Sequence, residues 1–404
     1  MMYSPTINSI KAAANNLKPI LQKTPLQLNT YLSKKYNANI YLKREDLTPI
    51  RSYKLRGAYN KMLTVKSDSI VSCSAGNHAQ GVAFACNNLK INGTIFMPST
   101  TPQQKIKKVK QFGDSFVNIR LQGTNFDESY DIARAYSNET KEEFIHPFDD
   151  EKVIEGQGTV GLEILEDLPN PDYVIMPVGG GGLSAGVSSY IKSFSPHTKF
   201  IGAEPLGAPS MKDAINYGSP SKLEDITTFV DGASVKCVGN ITFPICRNNL
   251  WDMVLIDEGH VCSKILEIYN EQGLIIEPAG VLSLCVLDHM KFSGLNVVVV
   301  ISGGNSDVFR MPEILERSLI YEGLKYYFKI QFPQIPGALK NFVMNVLGPD
   351  DDIIYFRYTK IINKETGPVI IGLQLKNKKE INRILLSMKM LNIKHELVKD
   401  NLYI

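Results

Sequence analysis

The chain has 404 residues, too many for one ordinary domain, and 44% of them are hydrophobic, enough to bury substantial cores. Its 44 basic and 41 acidic residues leave a formal charge of +3, without the basic excess or stripe of a nucleic-acid binder. Six scattered cysteines form no Cys-x-x-Cys pair and six histidines form no zinc-site spacing, so reduced, buried thiols and no metal are expected. No apolar stretch approaches the length that spans a bilayer and no signal-peptide core is present, which makes a cytoplasmic protein with no membrane partner the expectation.

Ser4-Pro5 ahead of Ile7, Ile10, Ala13 and Ala14 reads as a capped helix. Apolar runs then predict strands at 40–43, 69–73, 93–97, 115–119, 173–177, 199–204, 253–256 and 296–301. Helical periodicity falls between many of them, at 78–87, 103–111, 126–138 and 183–194. Such alternation predicts an α/β domain on open, mostly parallel sheets with crossover helices, over 1–320. The pattern changes after a plausible linker at Tyr321-Glu322-Gly323. Strands at 324–332, 353–362, 368–375 and 393–398, helices at 336–346 and 380–391, and a turn holding Asn363 and Gly367 give a ferredoxin-like βαββαβ order over 321–404.

Three glycine-bearing loops directly follow predicted strands: Ser74-Ala75-Gly76-Asn77, Gly179-Gly180-Gly181-Gly182 and Ser302-Gly303-Gly304-Asn305. Ligands in open parallel sheets bind beyond the carboxyl ends of the strands, so the three loops are expected to converge on one cleft. Four glycines between a buried strand and a helix leave backbone N–H groups open to an anion, although a flexible linker has the same composition. The loop from Ser74 to His78 could hold a carboxylate on its amides or simply cap a helix. Lys54 lies between Tyr53 and Leu55, with Arg56 two residues on. A lysine met alone is nearly always solvated, but a Schiff-base lysine needs its pKa lowered by burial or neighbouring cations.

Other residues carry less. Glu45-Asp46 reads as a cap or fold contact, Cys73 as a packed thiol, and His146 receives no role. Glu204 lacks clear companions for a cation site, and Lys105, Lys107, Lys108 and Lys110 read as a solvated helix face.

Taken together, Lys-Arg-Glu-Asp-Leu at 43–47, Arg-Ser-Tyr-Lys-Leu-Arg-Gly-Ala at 51–58, Ser-Ala-Gly-Asn-His-Ala-Gln-Gly at 74–81, Pro-Val-Gly-Gly-Gly-Gly-Leu at 177–183, Glu-Pro-Ala-Gly at 277–280 and Ser-Gly-Gly-Asn at 302–305 resemble the threonine dehydratase family. The segment opening with Pro-Gln-Ile-Pro-Gly-Ala-Leu at 333–339 resembles that family's ACT-like regulatory domain, present once as in the shorter biosynthetic form. The resemblance implies a two-lobed, tryptophan-synthase-β-like catalytic domain that uses pyridoxal 5'-phosphate. It implies that Lys54 holds the cofactor as a Schiff base and acts as the base, with the phosphate on Gly179, Gly180, Gly181, Gly182 and Leu183. Asn77 would meet the ring hydroxyl and Ser302 the pyridine nitrogen. Ser74, Ala75, Gly76, Asn77 and His78 would receive the substrate carboxylate, and Glu277 would line the cleft.

The implied reaction is loss of water from L-threonine, giving 2-oxobutanoate and ammonia, with L-serine as a secondary substrate. A neutral hydroxyl at the ring nitrogen makes a weaker electron sink than an aspartate would, which suits prompt loss of a β-hydroxyl. The family also implies isoleucine as inhibitor, valine as possible antagonist, and a homodimer or homotetramer. Pro336-Gly337-Ala338-Leu339 is either an effector loop or a plain helix entry. The rivals are a serine-directed eliminase or racemase on the same fold, and a non-catalytic amino-acid sensor.

Overall fold

A computed structural model describes residues 3–359 and 365–398; the predicted strand end at 360–362 and the turn residue Asn363 lie outside the described residues. The chain forms two compact units, Met1–Ser306 and Asp307–Ile404.

The first unit holds the strands β1 (Leu26–Leu28), β2 (Asn39–Arg44), β3 (Ser69–Cys73), β4 (Asn92–Met97), β5 (Val117–Leu121), β6 (Glu143–Phe144), β7 (Tyr173–Pro177), β8 (Lys199–Pro205), β9 (Leu250–Ile256) and β10 (Asn296–Ile301). They make two lobes. One is a six-stranded sheet in the order β1-β2-β10-β7-β8-β9, the other a four-stranded sheet in the order β5-β4-β3-β6. Every pairing is parallel except that of β1 with β2. β10 and β7 are neighbours at the centre of the larger sheet, and all of Val297 through Ile301 is inaccessible to solvent, as strands covered on both faces require.

Two of the predicted strands of this unit begin more than one residue from their expected start. The one predicted at 115–119 lies at Val117–Leu121, because Asp114 adopts φ of 49° and a 3-10 turn occupies Asp114–Phe116 before the backbone extends. β9 begins at Leu250, three residues ahead of its predicted start, where exposed Trp251 and polar Asp252 interrupt the apolar signal.

Helices Lys54–Met62 and Glu151–Asp167 escaped the periodicity reading, and both carry glycine in their interiors, where it weakens helix propensity. The structure supplies the reason. A Cβ on Gly156 would stand 2.6 Å from the carbonyl oxygen of Arg56, and one on Gly186 would stand 2.4 Å from that of Ile154. The helices Lys54–Met62, Glu151–Asp167 and Gly182–Phe194 therefore stack backbone against backbone.

Beneath this stack lies a buried charge cluster. The Arg56 guanidinium donates to Glu45 Oε2 at 2.7 Å and to Glu163 Oε1 at 2.6 Å, while Lys43 Nζ donates to Glu163 Oε2 at 2.6 Å and to the Thr24 carbonyl at 2.7 Å. Two cations thus meet two carboxylates, each with further hydrogen bonds, as buried charge requires. Glu45 is the fold contact expected of it.

The second unit opens with helix Met311–Tyr321, and the predicted linker follows as its end and a turn at Gly323 with φ of 70°. Strands β11 (Lys325–Pro333), β12 (Asp352–Tyr358), β13 (Thr366–Gln374) and β14 (His395–Leu397) form an antiparallel sheet in the order β12-β13-β11-β14. On β11, Phe328, Ile330 and Phe332 are buried while Lys329, Gln331 and Pro333 are exposed, the period of two of a one-sided sheet. Helices Ala338–Val346 and Glu380–Met390 add Phe342, Val346, Ile384 and Met388 to the same core. The first of these helices was expected from 336; it starts two residues later because Gly337 takes φ of 85° and Pro336 stays outside. Among the described residues no helix is long and apolar enough to cross a membrane.

Candidate active site

The loops after β3, β7 and β10 face one cleft in the first unit, joined there by a fourth loop after β6. Lys54 opens helix Lys54–Met62, and the helix start is pinned to the end of β10: Tyr53 N donates to the Ser302 carbonyl at 3.1 Å, and Ser52 bridges Gly303. The Lys54 amine donates to the Pro147 carbonyl at 2.7 Å and lies 5.4 Å from the Tyr53 ring centre and 6.0 Å from that of Phe148. Burial lowers its pKa to about 8, against a smaller opposing pull from Glu277. Unlike Arg56, it has no carboxylate in ion-pair contact among the described residues.

Phe148 also builds the glycine loop. A Cβ on Gly180 would fall 2.3 Å from its ring and one on Gly182 3.1 Å from its Cβ, while Gly181 holds φ of 91°, open to glycine at little cost. The Thr242 hydroxyl donates to the Gly180 carbonyl at 2.6 Å, and the Asp149 carboxylate accepts the N–H groups of Asn240, Ile241 and Thr242. Helix Gly182–Phe194 thus begins with no side-chain cap and no acidic residue in its first turn. Its N–H groups are left for an anion. Leu183 is 2% exposed with its side chain in the core, so only its backbone can serve.

Glu277 faces the same cleft from the start of helix Pro278–Cys285. It accepts from Asn77 Nδ2 at 2.7 Å and from Asn305 N at 3.2 Å, and burial followed by the charge of Asp231 raises its pKa to about 7. Ser302 is 2% exposed. Asn77, Glu277 and the loop from Ser302 to Asn305 are therefore joined by direct hydrogen bonds. Ser74, Ala75 and Gly76 are not tied to them among the described residues: the Ser74 hydroxyl accepts from Gly76 N at 3.2 Å, and a Cβ on Gly76 would meet nothing within 4 Å, leaving that loop open. His78 is buried, bonded through Nε2 to the Ile145 carbonyl at 3.0 Å, with Nδ1 unpartnered; burial and then the Lys54 charge lower its pKa to about 3.

Sequence reasoning missed Phe148 and the Pro147 carbonyl, since nothing in their local pattern marks them and only the fold brings β6 beside β3. His146, which received no role, accepts from Asp149 N at 2.8 Å through Nδ1 and so shapes that loop. The lysine face of helix Gln103–Gly113 needs correction: Lys107 and Lys110 are exposed, but Lys105 pairs with Asp231 and Lys108 reaches Asn305. Cys73 is fully buried. Buried Glu204 accepts from Met211 N at 2.7 Å and Lys212 N at 2.9 Å, and among the described residues no group of three metal-type side chains could hold an ion.

An amine with its charge desolvated and an uncapped, side-chain-free helix start share one aromatic wall. That pairing fits an aldehyde carrying a phosphate, and the comparisons with known proteins agree. Residues 17–303 match the family of pyridoxal-phosphate-dependent enzymes, and residues 316–404 match the C-terminal regulatory domain of threonine dehydratase. The biosynthetic L-threonine dehydratase of Halalkalibacterium halodurans is 51% identical over 386 residues, covering 94% of this chain and 93% of that protein. The processed form of threonine deaminase isoform 2 from Solanum lycopersicum superposes with a TM-score of 0.73 at 35% identity, over 79% of this chain and 91% of that one. Maize serine racemase gives 0.72 at 28% identity, over 79% and 99%.

Proposed function

This chain belongs to the pyridoxal-phosphate-dependent enzymes and, among them, to the biosynthetic L-threonine dehydratases, and from that premise we propose that it eliminates water from L-threonine to give 2-oxobutanoate and ammonia, the committed step toward isoleucine. The observation that carries the reading is the Lys54 amine, lowered to about 8 beside Phe148, whose ring packs on the uncapped glycine loop.

We assign Lys54 to covalent attachment of the cofactor, Gly179 to Leu183 to its phosphate, Asn77 to the ring hydroxyl and Ser302 to the ring nitrogen. When bound, pyridoxal phosphate supplies an aldehyde for exchange with the substrate amine and a conjugated ring that takes up the electron pair left at Cα. Lys54, once released, is the base that takes the Cα proton; its lowered pKa leaves a usable fraction of free amine near neutral pH. Ser302 would present a neutral hydroxyl to the ring nitrogen, which would favour departure of the β-hydroxyl over transamination. The open loop of Ser74, Ala75 and Gly76, with Asn77 and His78 at the helix start behind it, receives the substrate carboxylate on backbone N–H groups. The Tyr53 and Phe148 rings flank the amine.

We assign regulation to residues 321–404, with isoleucine as inhibitor and valine as its antagonist. A groove of about 550 Å³ lined by Phe332, Ile335, Gly337, Leu339, Val343 and Phe356 supports an aliphatic effector at the turn after β11. L-Serine is a secondary substrate, and the working form is a homodimer or homotetramer in the cytoplasm. Assay of 2-oxobutanoate from L-threonine, with and without isoleucine, tests this: turnover suppressed by isoleucine is expected. Faster release of pyruvate from L-serine, or racemised serine without an oxo acid, would favour the rival readings.

A further inference from the structure

Asn305 ends the loop after β10, and the assignments above give it no task. Its side-chain oxygen accepts from Lys108 Nζ at 3.0 Å. Its Nδ2 donates to the Ile50 carbonyl and to Asn77 Oδ1, both at 2.8 Å, with Gln80 Oε1 at 3.3 Å. Asn77 Nδ2 then donates to Glu277 Oε1 at 2.7 Å, and Asn305 N donates to the other Glu277 oxygen at 3.2 Å. An amide can be turned end for end, so its orientation has to be fixed by neighbours whose roles cannot be exchanged. Here they are. An ammonium only donates and a peptide carbonyl only accepts, so Lys108 and the Ile50 carbonyl fix Asn305 from its two ends. Lys108 therefore holds the oxygen of Asn305, Asn305 turns its NH2 toward Asn77, and Asn77 turns its own NH2 into the cleft.

We propose that Asn305, backed by Lys108, is a positioning residue that fixes the amide of Asn77 so that the cleft meets a donor at that point. Lys108 and Asn77 come from the four-stranded lobe, Asn305 and Glu277 from the six-stranded one, so the relay crosses between the lobes at each link. The proposal rests on the assignment of Asn77 to the ring hydroxyl. An ionised ring oxygen needs an N–H; a reversed amide would set oxygen against it and against Glu277 as well.

Asn305→Asp and Asn305→Ala separate this from a simple clasp between the lobes. Aspartate keeps the shape and the contact with Lys108 but has no N–H, so Asn77 must reverse to satisfy it. Alanine removes bonds without reversing any. Both variants lose the donor to the Ile50 carbonyl, so a clasp shifts unfolding and binding together, whereas the relay weakens binding in Asn305→Asp beyond its shift in unfolding. Equilibrium binding of pyridoxal phosphate to the full chain, followed by absorbance of the lysine adduct, is expected to be about tenfold weaker in Asn305→Asp than in Asn305→Ala. Thermal unfolding of both apoproteins separates loss of fold from loss of binding. As a second arm on a partly exposed residue, Lys108→Met should weaken binding and Lys108→Arg should restore most of it. Equal or tighter binding by Asn305→Asp, or no difference between the two Lys108 variants, overturns the relay. A wild-type chain that forms no borohydride-reducible adduct overturns the cofactor assignment itself, and the relay with it.

Discussion

Lys54 and Arg56 stand two residues apart in one helix, and their surroundings treat the two charges in opposite ways. Arg56 points to the floor of the lobe, where Glu45 and Glu163 outweigh its burial and hold its pKa above the ordinary arginine range. Lys54 points to the cleft, where burial dominates and carries its pKa down to about 8. One helix thus carries a cation held by two carboxylates and a cation whose amine meets a peptide carbonyl instead. The paired charge anchors the helix; the unpaired one is reactive because the anchor keeps it in place. Glu163 and Glu277 repeat the contrast among the carboxylates, lowered to about 2 by Arg56 and Lys43 despite burial, and raised to about 7 by burial.

Substitutions at the two positions should separate these functions. Lys54→Ala should lower turnover of L-threonine by on the order of 10⁴-fold while leaving the unfolding transition nearly in place, since the base and the attachment point vanish together. Retention of even a tenth of the activity would remove Lys54 from its role. Arg56→Met strands Glu45 in the interior, leaves Glu163 with Lys43 alone, and should cost about 3–5 kcal/mol in denaturant unfolding. A loss under about 1 kcal/mol would mean that the buried cluster anchors nothing. The mildest case is the solvent-exposed pair of Lys23 with Asp167 at 2.6 Å, where Lys23→Met should change stability by less than about 1 kcal/mol. A larger effect there would erase the distinction between buried and exposed pairs.

Legibility from sequence followed the same division between local and tertiary causes. Buried strands such as β10 announce themselves as apolar runs, and the alternation of Phe328, Ile330 and Phe332 reveals the second unit's sheet. The expected alternation of strands and helices, the parallel sheets and the βαββαβ order all appear in the structure. Helices Lys54–Met62 and Glu151–Asp167 stayed hidden, because Gly57 and Gly156 answer to neighbouring backbones rather than to helix propensity. The three glycine loops were legible because each follows a strand directly. Phe148, Lys108 and the contacts of Asn305 were not, since each depends on a partner more than 90 residues away or in the other lobe, as the Lys54 to Pro147 and Lys108 to Asn305 contacts illustrate.

The most direct measurement is the rate at which the apoprotein captures pyridoxal phosphate as a function of pH, with the modified lysine located by borohydride reduction and peptide mass. Because burial lowers Lys54 from 10.5 to about 8, its free-amine fraction rises as pH climbs through about 8 and then saturates. Capture at residue 54 alone, levelling off above about 8, is the predicted result. A rate still climbing toward 10.5, or label spread over other lysines, would contradict the account.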